Sequence, residues 1–148
     1  LYGSGVTNAC ASLAAFKFSS LGLPCSVQSG INEHAAYANP HIRETMAIVF
    51  SLTGANANMV NVARILRGRG CYVLGIGELV GKALCEACSD YVASYAAEHV
   101  LGIEVMNSTL GINYIVDTLY LNLLTSDYEH NIEVAAELSG NPWNDGPQ

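Results

Sequence analysis

TMAIVFSLTGANANMVNVARILRGRGCYVLGI, Thr45 to Ile76, contains a whole strand, helix and strand in one uninterrupted run. Residues 45–51 are apolar almost throughout and of strand length, and residues 71–76 repeat that character. Residues 55–70 between them have helical spacing and close on basic residues and glycine, the usual end of a helix. A strand that is apolar on both faces is covered on both sides, and two such strands joined by a single helix run parallel. The stretch therefore predicts an open α/β sheet.

The same alternation continues outward. Toward the N-terminus, Leu1 and Tyr2 lead into Gly3-Ser4-Gly5, and a helix is expected from Thr7 to Leu21, stopped by Gly22. PCSVQS, 24–29, reads as the second strand, and Asn32 caps a short helix to Tyr37 ahead of Pro40. Toward the C-terminus come a short helix over Leu79 to Ala87, a last strand at DYVA, 90–93, and a long helix from near Glu98 to Leu124. Ile112, Ile115, Leu119 and Leu123 fall on one face of that helix. The expectation is one domain over 1–140, with the Pro/Gly-rich NPWNDGPQ of 141–148 as a frayed tail. Two residues are short for a first strand, so the chain reads as trimmed there or as opening on an unusually short one.

Composition excludes several classes. With 51% hydrophobic and 13% charged residues in 148, the chain has enough apolar content for a buried core. Six basic against thirteen acidic side chains give a formal charge of −7, the wrong sign for gathering nucleic acid by bulk field. No apolar run approaches the ~20 residues of a membrane span, and the N-terminus lacks the flanks of a signal peptide. Cys10, Cys25, Cys71, Cys85 and Cys88 are odd in number and sit in apolar segments, which suits a reducing compartment and a cytoplasmic protein. Cys85 and Cys88 form a C-x-x-C without a second pair, so no metal is expected.

Two turns carry the chemistry. The first, after Tyr2, has Gly3 and Gly5, but Asn8 stands where a dinucleotide fingerprint has its third glycine and SVQSG ends the second strand without a carboxylate. A Walker loop is absent as well, so no nucleotide cofactor is expected. The second turn, FSLTGANAN, places Ser51, Thr53, Gly54 and Asn56 ahead of a helix. If the sheet reverses direction between its first and third strands, both turns open on one crevice. Hydroxyl and amide donors at helix N-termini, with glycine allowing close backbone approach, suit a phosphate.

Gly3-Ser4-Gly5-Val6-Thr7 and Ser51-Leu52-Thr53-Gly54-Ala55-Asn56 resemble the G-x-G-x-S and S-x-S-G-x-T motifs of the sugar isomerase (SIS) domain, with Thr for Ser in each and Asn56 for the final Thr. The resemblance covers essentially the whole chain. It implies a five-stranded parallel, flavodoxin-like (Rossmann-like) sheet with helices on both faces, a phosphosugar ligand and a dimer. It assigns the phosphate to Gly5, Thr7, Ser51, Leu52, Thr53 and Asn56, and the sugar to Glu33, His34, Ser108 and Thr109. Asp117-Thr118-Leu119-Tyr120 in the long helix is similar to the effector domains of RpiR-type transcriptional regulators. That likeness implies a sensor whose DNA contact is made by an upstream helix-turn-helix domain that this chain lacks. The alternative is an aldose-ketose isomerase, which needs a positioned base, and Glu33 and His34 are the candidates. INEHAAYAN departs from the histidine-rich segment of the family's isomerases, which favours sensing. Lys17 is expected to snorkel from an apolar helix face.

Overall fold

The computed structural model describes residues 1–29, 39–79, 81–94 and 103–140. In chain order these form β1 (Tyr2–Gly3), α1 (Val6–Ser19), β2 (Gln28–Ser29), a 3-10 turn at Ile42–Glu44, β3 (Met46–Ser51), α2 (Ala57–Gly68), β4 (Tyr72–Glu78), α3 (Lys82–Ala87), β5 (Asp90–Ser94), α4 (Ile103–Ser126) and α5 (Tyr128–Ser139). The sheet order is β2-β1-β3-β4-β5 and every pairing is parallel. The body of the sheet is β3 to β5, and β1 and β2 add two residues each.

Alternation along β3 and β4 divides the core into two layers. Ala47, Val49 and Val73 face Met59, Val62, Ala63 and Leu66 of α2 and Leu84 of α3. Ile48, Phe50, Leu74 and Ile76 face Cys10, Ala11, Ala14 and Phe18 of α1 and Ile112 and Val116 of α4. Helices thus cover both sides, as continuous apolar strands require. Ala11 and Ala14 are fully buried, and their small side chains bring α1 close to the sheet.

Four local features differ from the sequence reading. The second strand narrows from 24–29 to Gln28–Ser29, because Pro24 has no N–H to give and the strand is outermost in the sheet. In α1, Leu13 and Phe16 point outward, Phe16 being 75% exposed. The helix is apolar nearly all round, so its periodicity names no buried face. Lys17 is not merely laid along that surface: its Nζ pairs with a carboxylate oxygen of Asp117 and ties α1 to α4. The long helix ends at Ser126, where Asn131 of α5 donates its side-chain amide to the carbonyls of Leu123 and Leu124 at 2.8 and 3.3 Å. Those carbonyls would otherwise lack partners.

The C-x-x-C lies on α3 and its C-cap, with Cys85 exposed and Cys88 buried. Burial, reinforced by the neighbouring Cys85, pushes the Cys88 thiol up to about 11. No described helix is long and apolar enough to cross a membrane. The short helix expected over 32–37 and the tail at 141–148 lie outside the described residues.

Candidate functional site: two turns at the carboxyl edge of the sheet

Chain order reverses at β1, which lies between β2 and β3. Tyr2 pairs with Val49, so the turns after β1 and β3 emerge side by side at the carboxyl edge, the ligand position of open α/β sheets. The turns also touch directly: the Thr7 hydroxyl lies 3.4 Å from the Phe50 carbonyl.

The first turn is built by close approach. A Cβ at Gly3 would sit 2.5 Å from the Thr7 carbonyl oxygen, so a side chain there would displace the first turn of α1. Gly5 is the N-cap of α1 at φ 60° and ψ −129°, and a Cβ there would face open space. No side chain caps this helix end, so its leading N–H groups remain directed at the crevice. Thr7 is 3% exposed, and its hydroxyl accepts from the Ser4 N–H and donates to the Ser4 carbonyl, each at 2.9 Å. Its role is thereby defined: it staples the turn that the Gly5 end of α1 presents.

The second turn is arranged differently. Ser51 ends β3 and is buried, Leu52 is half-buried and Thr53 is exposed. The Thr53 hydroxyl accepts from the Ala55 N–H at 3.2 Å, which leaves its own proton to donate outward. Gly54 turns the chain at φ 63°. Asn56 is the N-cap of α2, its side-chain oxygen accepting from Asn58 and Met59 N–H at 3.1 and 3.2 Å. Its NH2 group stays available as a donor. One helix end is therefore open and the other closed by its own cap.

Three further polar atoms were not singled out by sequence. The side-chain oxygens of Asn8, Ser94 and Asn113 are buried without a hydrogen-bond partner. Asn8 follows Thr7 in α1, Ser94 ends β5 opposite Glu78, and Asn113 follows the buried Ile112 in α4. A buried polar atom left unpaired costs about 1–3 kcal/mol, so such atoms mark places for water or ligand. Ser94 was recoverable in principle, as a serine closing a strand at the carboxyl edge. Thr109 is half-buried on α4. Glu33 and His34 lie outside the described residues, as does the side chain of Ser108.

A parallel doubly wound sheet with two hydroxyl-, amide- and glycine-bearing turns at its switch point defines a class of anion-binding α/β domain. The SIS domain profile matches residues 1–121, and the chain belongs to that family. No curated protein sequence matches it. Among solved structures, the Vibrio vulnificus NanR protein complexed with ManNAc-6P superposes with a TM-score of 0.77 at 15% identity, covering 99% of this chain and 55% of that one. The sugar isomerase domain of an RpiR transcription factor from Sphaerobacter thermophilus gives 0.77 at 18% identity over 93% of this chain and 75% of that one. E. coli CFT073 c3406 in complex with arabinose 5-phosphate gives 0.66 at 20% identity over 86% and 69%. This chain thus spans little more than half the length of the NanR chain. At such identities the likeness is one of fold.

Thr7→Val removes both hydroxyl bonds and leaves the Ser4 N–H unpaired, so it should lower unfolding stability by about 1–3 kcal/mol. Thr7→Ser should retain most of it. Urea titration of the two variants side by side checks this, and equal losses would count against the staple.

Proposed function

We propose that the chain is the phosphosugar-binding sensor domain of an RpiR-type transcriptional regulator, holding its ligand's phosphate between the two turns. The observation that carries the reading is the adjacency of an uncapped helix N-terminus at Gly5 and the hydroxyls of Ser51 and Thr53 at one switch point. In this arrangement the phosphate sits on the open end of α1, where the N–H groups and the helix dipole favour an anion. Ser51, Thr53 and the Asn56 NH2 complete the cradle from the β3 side, and the Leu52 backbone lines it. The sugar extends toward Glu33, His34, Ser108 and Thr109. NanR was solved with ManNAc-6P and c3406 with arabinose 5-phosphate, which makes hexosamine and pentose phosphates the first ligands to screen.

Each charge-assisted hydrogen bond contributes about 1.5–3 kcal/mol, so Ser51→Ala combined with Thr53→Ala should weaken the best sugar phosphate at least roughly tenfold. Calorimetric titration reads this directly. Unchanged affinity would remove the β3 side of the cradle.

Sensing is preferred to turnover because neither turn carries a group that titrates as a base: Gly3 to Asn8 and Ser51 to Asn56 contain no Asp, Glu, His or Lys. Isomerase-like relatives of the fold keep the second reading alive, with Glu33 and His34 as its base candidates. Incubation of the protein with each bound sugar phosphate should return it unaltered. Aldose-ketose conversion that disappears in Glu33→Gln would establish the enzyme instead.

The five described cysteines are all free thiols, which accords with a cytoplasmic protein. The surface of α1 and α4 supports a homodimer. Leu13 and Phe16 lie on one side of the Lys17–Asp117 pair, and Leu110, Tyr114 and Leu121 on the helix across it, all at least 40% exposed. An apolar face of this kind is usually covered, and a twofold copy is the commonest cover. DNA would then be read by domains upstream of the two sensors. Sedimentation at micromolar concentration should give a dimer that Tyr114→Glu dissociates; a wild-type monomer would overturn this arrangement.

A further inference from the structure

β5 contributes a residue to the second turn without belonging to it. Tyr91 pairs with Gly75 of β4, and its ring lies across that strand toward the carboxyl edge. A Cβ at Gly75 would come within 2.8 Å of the ring Cδ2, and one at Gly77 within 2.8 Å of the hydroxyl. Beyond the strand, a Cβ at Gly81 would lie 2.7 Å from the same hydroxyl, and one at Gly54 would lie 3.1 Å from it. Four glycines thus border one phenol. The hydroxyl donates to the Glu78 carbonyl at 2.6 Å.

The segment that Tyr91 holds in turn holds the Ser51–Gly54 loop. Glu78 N–H donates to the Leu52 carbonyl at 3.2 Å, and Leu84 N–H donates to the Gly54 carbonyl at 3.1 Å. The backbones meet without side chains between them, since a Cβ at Gly54 would fall 2.5 Å from the Gly81 Cα. Gly54 is at positive φ, and its conformation is kept by these neighbours.

We infer that Tyr91 is a positioning residue for the phosphate turn: through Glu78 and Gly81 its hydroxyl fixes the Leu52 and Gly54 backbone from behind. The inference rests on the assignment of that turn to phosphate. It is specific to the hydroxyl rather than to the ring, because the ring packs on Gly75 while only the oxygen reaches Glu78, Gly77, Gly81 and Gly54. Burial foremost, with Cys85, Cys88 and Glu78 adding to it, pushes the phenol up to about 12. It is therefore a donor throughout the range in which the protein would work.

Tyr91→Phe keeps the ring and deletes the bond. Tyr72→Phe is its control, since Tyr72 bonds Asp90 at the opposite end of the same two strands, away from the turns. In the whole chain, amide hydrogen exchange should quicken at Glu78 and Leu84 in Tyr91→Phe and not in Tyr72→Phe. Affinity for inorganic phosphate, ManNAc-6P or arabinose 5-phosphate, whichever the wild type binds, should fall about three- to tenfold in the first variant only. Unaltered exchange at Glu78 and Leu84 overturns the positioning role whatever the ligand result, and faster exchange with unaltered affinity overturns its bearing on the site. Equal effects of the two substitutions would reduce Tyr91 to general stability and also overturn it. If the wild type binds none of the three probes, the phosphate reading fails on its own; quickened exchange would then still uphold Tyr91 as the support of the turn.

Discussion

The site depends on one strand pairing, that of Tyr2 with Val49. β1 is two residues long, yet it sits between β2 and β3 and sends α1 off in the direction opposite to its neighbour's crossover. That reversal opens a crevice at the switch point, and it brings Gly5 and Ser51 to the same edge. So short a strand is held less by its ladder than by what surrounds it. Tyr2 is buried in the layer beneath α2, Gly3 is packed on the first turn of α1, and Gln28 N–H reaches the Leu1 carbonyl at 2.8 Å.

Binding an anion in a chain of charge −7 sets a second constraint. The long-range field repels the ligand, so attraction has to be local and oriented. Backbone N–H groups at a helix end and hydroxyls held by their own turns meet that requirement, because their dipoles are aligned before the ligand arrives. The division of labour between the turns follows. α2 is closed by Asn56, which stabilises the helix and fixes the second turn, whereas α1 is left uncapped at Gly5, whose missing side chain admits a ligand to the backbone. Arg67, one of the few cations, donates to the Glu86 carbonyl on the α2–α3 side and takes no part at the turns.

How much of this could be read from sequence varies by element. β3, α2 and β4 were legible because each is a long segment with one unmistakable period, and the faces of β3 follow from simple alternation. The turns were legible as motifs. The part played by Thr7 was not, since a buried hydroxyl bonded to its own turn and one awaiting a phosphate have the same letter. β2 was overdrawn because composition does not reveal how little of an outer strand pairs. The break at Asp127 was hidden because the apolar pattern runs on through it while the C-terminal carbonyls of α4 are satisfied by Asn131, a residue four positions further on. Tyr91 left a trace that went unread: glycines at 75, 77 and 81 weaken a central strand and its exit unless something large needs the space.

A sensor must also convert occupancy into a change that a partner can read, and only differential affinity between two states can do that. The elements of the site are placed for it. α1 begins at the open turn and carries, near its far end, the Lys17–Asp117 pair to α4. Thr7 binds the start of α1 to Ser4 while Ala11 and Ala14 seat it against Phe50 and Ile76. Such a tightly seated helix moves as a body, because packed interiors shift between discrete arrangements rather than deform continuously. A phosphate drawn onto its N-terminus therefore acts on the α1–α4 surface through the helix itself. The apolar residues on that surface are those with which a second copy would make contact, so on the sensor reading ligand and partner press on opposite ends of one rigid element.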